Sequence, residues 1–337
     1  MRQIRLNEAI TEALKEEMTR DETVFFMGEN VSAHIFGLTQ GLFEKFGKER
    51  IRDTAISEEA ILGAGVGAAH AGYRPIVDMG MADFMLPALG PLLDNGATWR
   101  FTHGGKCMIP LVVLASFGGY IGVGPQHSKC FETIIMHTPG LKLVIPSTPY
   151  DAKGLLKTAI RDNNVVVYFF HKRHIALTGE VPEEEYTIPF GVADIKREGK
   201  DITVVATGYM VTLALDVANQ LQEKGISVEV VDPRTLEPLD MDTIIASVKK
   251  TKRVVVVDED TLRCGPGAEI GMQIMEKAFD DLDAPIRRVG ALNFPIPAGP
   301  TEYLVLPKPQ DIADAIRGVL GVKEPLPVKA IETAKFF

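Results

Sequence analysis

Two adjacent carboxylates, Glu58 and Glu59, stand at the head of a small apolar run. A carboxyl shielded from water at such a point can serve as an acid or base. The surrounding stretch is IRDTAISEEAILGAGVGAAHAG, residues 51–72. Ser57 is a helix N-cap type, whose oxygen can accept from the free amides of the first turn. Acidic residues there also suit the positive end of the helix dipole. The pattern therefore supports two readings of Glu58 and Glu59: helix-start residues, or one of them facing a buried ligand. The following helix is rich in small residues (Gly63, Gly65, Gly67, Ala68, Ala69) and can be packed on all sides.

Other residues carry weaker signals. His127 follows a Gly-rich loop, residues 116–126, and loops carry function more often than cores do. It reads equally well as a turn histidine bonded to backbone. Phe84 follows a loop and is either a core aromatic or a platform for a flat ring. His171, Lys172, Arg173 and His174 form a basic cluster after a strand, expected to be solvated or in contact with a partner. Gly63-Ala-Gly-Val-Gly mimics a dinucleotide fingerprint, which needs its glycines at a strand-to-helix turn. Ser57 starts the helix earlier, so the glycines are expected inside it as packing positions.

The elements that must position these residues alternate. Apolar runs at 24–27, 75–79, 109–115, 143–145 and 165–170 read as buried strands, and 7–20 as an amphipathic helix. Residues 84–98 read as a helix interrupted by Pro87 and Pro91. Thr148-Pro149-Tyr150-Asp151 is a helix start. Residues 181–199 are acidic, contain Pro and read as a linker. Strands at 202–206, 227–231, 253–257 and 286–289 then alternate with helices at 211–224, 241–250, 268–279 and 310–320. Near-continuous Val/Ile strands between helices imply an α/β fold with mainly parallel sheets, in two domains, 1–180 and 200–337.

The totals exclude other classes. The chain has 337 residues and a formal net charge of -9, with no basic block to suit nucleic acid. Three cysteines lie far apart, which fits a reducing compartment and neither a disulfide framework nor a zinc site. The first 20 residues do not read as a signal peptide, and no apolar run reaches membrane-spanning length. A cytoplasmic protein is the expectation. There is no Walker motif, and no Gly-Asp-Gly followed by Asn.

Four stretches carry a resemblance: ISEEAILGAGVGAAHAGYRPIVD, QHSKCFETIIMHTPGLKLVIPSTPYDAKGLLKTAIRDNN, VVDPRTLEPLDMDTI and DEDTLRCGPGAEI. Together they resemble the beta subunit of thiamine-diphosphate-dependent 2-oxo acid dehydrogenases, the first components of the pyruvate, branched-chain 2-oxo acid and acetoin dehydrogenase complexes. The resemblance runs from about Ile4 to Leu320. It implies a transketolase-like pyrimidine-binding domain followed by a transketolase C-terminal domain. It implies an alpha subunit that holds magnesium and the diphosphate, in an assembly of two alpha and two beta chains, and a lipoyl acyltransferase partner. The missing Gly-Asp-Gly motif accords with that division. Glu58 matches the glutamate that bonds the aminopyrimidine ring nitrogen, and burial beside the ring should raise its proton affinity. Glu59 is then a helix-start residue. Phe84 matches the aromatic packed on that ring. His127 matches the histidine that steadies the reacting group and the incoming lipoyl group. Leu111, Ala159, Asp162 and Asn164 match positions that hold a potassium ion in some members.

Departures from the family pattern concern the substrate. Residues 114–118 read LASFG where R-G-P-N-G is common, Asp78 stands where Glu is usual, and Pro87 stands where Gln is common. The expected Glu near Phe170 is absent. The late segment reads Asn293-Phe-Pro-Ile-Pro297. Two other functions stay open at this level: half of a split transketolase-like enzyme or carboligase, and a non-catalytic scaffold subunit.

Overall fold

Apolar residues at helical spacing wind 6–20 into a helix whose buried stripe is Leu6, Ile10, Leu14 and Met18. The computed structural model describes residues 1–33 and 37–329. The first unit comprises residues 1–117 and 134–190, and the second residues 118–133 and the described residues from 191 on.

In the first unit the elements follow in order. They are β1 (Arg2–Arg5), α1 (Leu6–Arg20), β2 (Val24–Glu29), α2 (Leu42–Phe46), β3 (Ile51–Thr54), α3 (Glu58–His70) and β4 (Arg74–Met81). There follow α4 (Trp99–Thr102), β5 (Val112–Phe117), the short α5 (Glu132–Met136, whose first two residues belong to the second unit), β6 (Lys142–Val144), α6 (Pro149–Arg161), β7 (Val166–His171) and β8 (Thr178–Val181). Six strands pair in the order β6-β7-β5-β4-β2-β3, all parallel. β1 and β8 form a separate antiparallel pair. Alternate residues serve opposite faces of the sheet. Ile76, Val112, Leu114, Tyr168 and Phe170 join the core formed with α1 and α6. Val77 meets α3, where a Cβ on Gly65 would stand 2.6 Å from the Val77 side chain. The glycine-rich helix is thus a packing surface for β4, and its glycines lie inside α3 rather than at a phosphate-binding turn.

Charge fixes α1 on α6. Lys153 and Lys157 are fully buried, and both reach Glu16, at 2.6 Å each, while Arg161 grips Glu17 at 2.6 and 2.9 Å. Thr148 caps α6 by accepting from the Asp151 amide at 3.1 Å, with Pro149 in the first turn, as its sequence indicates.

The second unit contains β9 (Asp194–Arg197), β10 (Ile202–Ala206), α7 (Tyr209–Gln222), β11 (Val228–Asp232), β12 (Thr235–Glu237), α8 (Met241–Thr251), β13 (Val254–Thr261), α9 (Pro266–Ala278), β14 (Arg287–Ala291) and α10 (Pro309–Leu320). Its sheet runs β14-β13-β10-β11-β9, parallel except for β9.

Three sequence expectations are refined. The stretch 181–199 is structured: Tyr186, Ile188 and Phe190 pack on the first core, and β9 belongs to the second sheet. Within it Glu185 pairs with Arg161. Residues 84–98 form a 3-10 segment (Ala82–Ala88) and a π-helical turn (Pro91–Gly96) instead of one helix, because each proline removes an amide donor. Residues 118–133 cluster with the second unit, which no change of periodicity announces.

Gly28, near the end of β2, decides how closely β2 and β4 approach. A Cβ there would stand 2.7 Å from the Asp78 carbonyl oxygen and 2.9 Å from the Asp78 Cβ. Gly28→Ala should therefore destabilise the chain by about 1–3 kcal/mol in urea denaturation. A variant as stable as the parent would show slack between these strands.

Candidate active site

Parallel sheets place ligand sites at the carboxyl ends of their strands. Here β2 ends at Glu29, and Asn30 follows in a left-handed conformation, φ 51°. Beside it β4 ends in a bulge: Asp78 pairs with Leu114 and Met81 with Ser116, so β4 carries one extra residue. Gly80 sits in the bulge at φ 67°. The Gly80 amide donates to Asp78 Oδ1 at 2.8 Å, and Ser116 Oγ donates to the Gly80 carbonyl at 2.7 Å. The chain then turns into the 3-10 segment that carries Phe84.

These strand ends and the start of α3 enclose a cavity of about 140 Å³. Glu58, Ser57, Ile61, Glu29, Asn30, Asp78, Met79, Gly80 and Phe84 line it. Glu58 and Phe84, chosen from the sequence, therefore meet at one place, both half-buried. Glu59 points away from this set and is exposed, as befits a helix-start residue. Ser57 holds the N-cap position, but its hydroxyl makes no capping bond. That corrects the expectation of a side-chain cap; Ser57 lines the cavity instead.

Asp78 is the lining residue that sequence reasoning noted and did not select. Burial pushes its carboxyl up to about 6, against an ordinary 3.8, despite the Gly80 amide bond. The signal available was its place at the end of an apolar parallel strand, next to a Gly at a turn.

The basic cluster is not solvated. His171, Lys172 and His174 are all buried, because β7 runs on through His171 and a 3-10 turn tucks the rest inward. Lys172 Nζ lies 3.9 Å from Asp83, the residue before Phe84. The His171 ring meets Phe117 edge-on at 5.2 Å, and burial with nearby His171 keeps His174 well below the usual imidazole value.

His127 lies in the 118–133 segment, half-buried, with its amide donating to the Gly124 carbonyl at 3.1 Å. Within the second unit that segment is held at several points. The Gly119 amide donates to Glu259 at 2.6 Å, the Gly122 amide to Glu302 at 3.0 Å, and the Tyr120 hydroxyl to the Pro307 carbonyl at 2.7 Å. Thr133 Oγ1 donates to Asp260 at 3.0 Å. Burial, with Asp260 nearby, raises the carboxyls of Glu132 and Asp258 well above their usual range.

Leu111, Ala159, Asp162 and Asn164 gather around the C-terminal end of α6, where the chain supplies its own cations. Arg74 donates to the carbonyls of Ile160 at 3.0 Å and Asp162 at 2.9 Å. Lys142 pairs with the Asp162 carboxylate, and Arg100 donates to Asn164 Oδ1 at 2.6 Å. The Leu111 carbonyl accepts from Val166 at 2.9 Å and the Ala159 carbonyl from Asp162 at 3.2 Å. Burial alone would raise the Asp162 carboxyl, but bonds from Lys142 and Asn164 outweigh it and hold it low. Among the described residues no group of three or more His, Cys, Asp or Glu side chains is arranged to hold a metal ion, and no helix is long and apolar enough to cross a membrane.

Two family descriptions cover the two halves. "Transketolase, pyrimidine binding domain" matches residues 2–176, and "Transketolase, C-terminal domain" matches residues 191–312. The chain belongs to the transketolase-like dehydrogenase beta-subunit family. It is 42% identical over 335 residues to the acetoin:2,6-dichlorophenolindophenol oxidoreductase subunit beta of Bacillus subtilis, covering 95% of this chain and 98% of that one. It is 45% identical over 315 residues to the 2-oxoisovalerate dehydrogenase subunit beta of the same organism, covering 92% and 96%. It is 43% identical over 320 residues to the pyruvate dehydrogenase E1 component subunit beta of Rickettsia felis, covering 94% and 98%. A solved structure described as a split gene transketolase, inactive beta4 tetramer, superposes with a TM-score of 0.78 at 22% identity, over 95% of this chain and 99% of that one. Membership of the transketolase-like dehydrogenase beta subunits accounts for the α/β fold in two units.

In this beta subunit the raised Asp78 carboxyl means that the folded chain holds its proton more tightly than the unfolded chain does. That contribution is present at low pH and is lost as pH rises from about 4 through about 6. A shift from 3.8 to about 6 corresponds to about 3 kcal/mol. Asp78→Asn should abolish that loss when denaturation is compared across pH 4 to 7. An unchanged pH dependence would place the titration elsewhere.

Proposed function

We propose that this chain is the beta subunit of a thiamine-diphosphate-dependent dehydrogenase that cleaves a 2-oxo acid or acetoin and passes the acyl group to a lipoyl acyltransferase. The observation that carries this is the meeting of Glu58 and Phe84 in one cavity at the head of α3. The cavity suits one heteroaromatic ring: Phe84 and Ile61 offer apolar surface, and Glu58 offers a carboxyl at the edge. At about 140 Å³ it is far smaller than the ~300–1,000 Å³ of sites that enclose a whole drug-sized ligand. The remainder of the cofactor, with its magnesium and diphosphate, is therefore assigned to an alpha subunit, in an assembly of two alpha and two beta chains.

Bound thiamine diphosphate supplies the electron sink for cleavage beside a carbonyl. The protein's part is positional and protolytic. Glu58 holds and shares a proton at the ring nitrogen. Phe84 presents a flat face that keeps the ring in one orientation. His127, on its anchored segment, is assigned to the charge that develops on the substrate and to the lipoyl acceptor. No potassium ion is assigned to the end of α6. Arg74 and Lys142 already place positive charge at its carbonyls and at Asp162. Replacing potassium by sodium should shift Tm by less than about 1 °C, since an ion that binds only the folded form would raise it. A potassium-specific rise in thermal unfolding experiments would restore the ion to that site.

The test is co-expression with a candidate alpha subunit and assay of thiamine-diphosphate-dependent reduction of an artificial acceptor. Pyruvate, branched 2-oxo acids and acetoin are the substrates to compare. Glu58→Gln should lower turnover by about 10²–10⁴-fold while the complex still assembles. Full activity in that variant would remove Glu58 from the reaction and favour the scaffold reading. A cofactor-loaded complex that reduces nothing would favour a carbon–carbon ligating reaction instead.

A further inference from the structure

The turn that delivers Phe84 is held at both backbone groups of one residue, Gly80. Asp78 accepts from the Gly80 amide at 2.8 Å, and Ser116 donates to the Gly80 carbonyl at 2.7 Å. Between these bonds lies the extra residue of the bulge, with Gly80 at φ 67°. Asp78 also lines the cavity, beside Glu29 and Glu58. Its backbone lies so close to Gly28 that a Cβ there would stand 2.7 Å from the Asp78 carbonyl oxygen. An Asn at this position would accept the same amide bond without carrying a charge. A carboxyl buried at the cavity wall and bonded to the turn that carries Phe84 points to a use for the charge.

We infer that Asp78 is a positioning residue of the cofactor pocket: its ionised carboxylate tightens the Gly80 turn and so fixes the face that Phe84 presents to the ring. This rests on the cofactor reading above. Charge strengthens the bond because an amide donates more firmly to a carboxylate than to a neutral oxygen. The hold is full when Asp78 is ionised and relaxes as pH falls through about 6. The titratable groups around it are identified. Glu29 from β2 and Glu58 from α3 share the cavity, and Asp83 in the turn faces Lys172 from the end of β7 at 3.9 Å. From β5 the neighbour is Ser116, which carries no charge.

The experiment is calorimetric binding of thiamine diphosphate to the chain assembled with its alpha subunit, at pH 5 to 8, in buffers of differing ionisation enthalpy. Parent binding should weaken as pH falls through about 6, and near that pH it should release more protons than the Asp78→Asn complex does. Asp78→Asn should bind about fivefold more weakly at pH 7.5. Titration of the cofactor itself is common to both proteins and cancels in the difference. Asp78→Glu, which keeps the charge, should retain the extra proton release. Equal affinity and equal proton release in parent and Asp78→Asn would overturn the inference. If the Asn variant fails to assemble, the uncharged Asp78→Ser complex takes its place in the same comparison: lower proton release than the parent supports the inference, and equal release overturns it. Failure of the cofactor reading would look different: the parent would bind no thiamine diphosphate, and Glu58→Gln would change nothing.

Discussion

The contact between Gly28 and the backbone of Asp78 sets the geometry of the pocket. Two parallel strands approach so closely there that a single methyl group would collide with a carbonyl oxygen. Every lining residue is referred to this contact. Glu29 and Asn30 follow directly from β2, and Met79, Gly80 and Phe84 follow from β4. Glu58 arrives on α3, which is seated on β4 through Gly65 against Val77. Three elements that carry the chemistry are thus positioned by two glycines, one in a strand and one in a helix.

Much of this was legible in the sequence, for a physical reason. Buried parallel strands need uninterrupted apolar residues, so 24–27, 75–79 and 202–206 declare themselves, and the observed strands begin or end within a few residues of those limits. Thr148-Pro149 declares the start of α6 because capping is a local interaction. What was hidden depends on partners far along the chain. The linker-like run 181–190 looked unstructured because its order comes from Arg161 and Tyr150, both some 24 to 36 residues earlier. The basic run 171–174 looked solvated because nothing local shows that Phe117 and Asp83 cover it. Ser57 has the right residue type for a cap and makes none. Glu58 and Phe84 were found through the family resemblance, since neither residue type nor spacing alone separates a ligand carboxylate from a helix-start residue.

The placement of charge follows one rule in the first unit. Where a helix end or a helix pair must be fixed, the chain uses cations bonded to its own acceptors, the half-buried Arg74 and the buried Lys153 and Lys157. Such groups are costly to break and contribute more to uniqueness of packing than to net stability. At the pocket the rule is reversed. Carboxyls of Glu29, Glu58 and Asp78 stand around one small cavity, which therefore favours a ligand edge that brings a proton or a donor.

The segment 118–133 has a consequence for the order in which the protein is made. It leaves the first unit directly after β5 and returns to form β6 and β7, which extend the same sheet. Its anchors, Glu259, Asp260, Glu302 and Pro307, are synthesised more than 120 residues later. During translation the strands of the first unit emerge while the Gly119 and Gly122 amides of the histidine-bearing segment still have no acceptors. A chain ending at Phe190 would lack the acceptors Glu259, Glu302 and Pro307 that hold the His127-bearing segment.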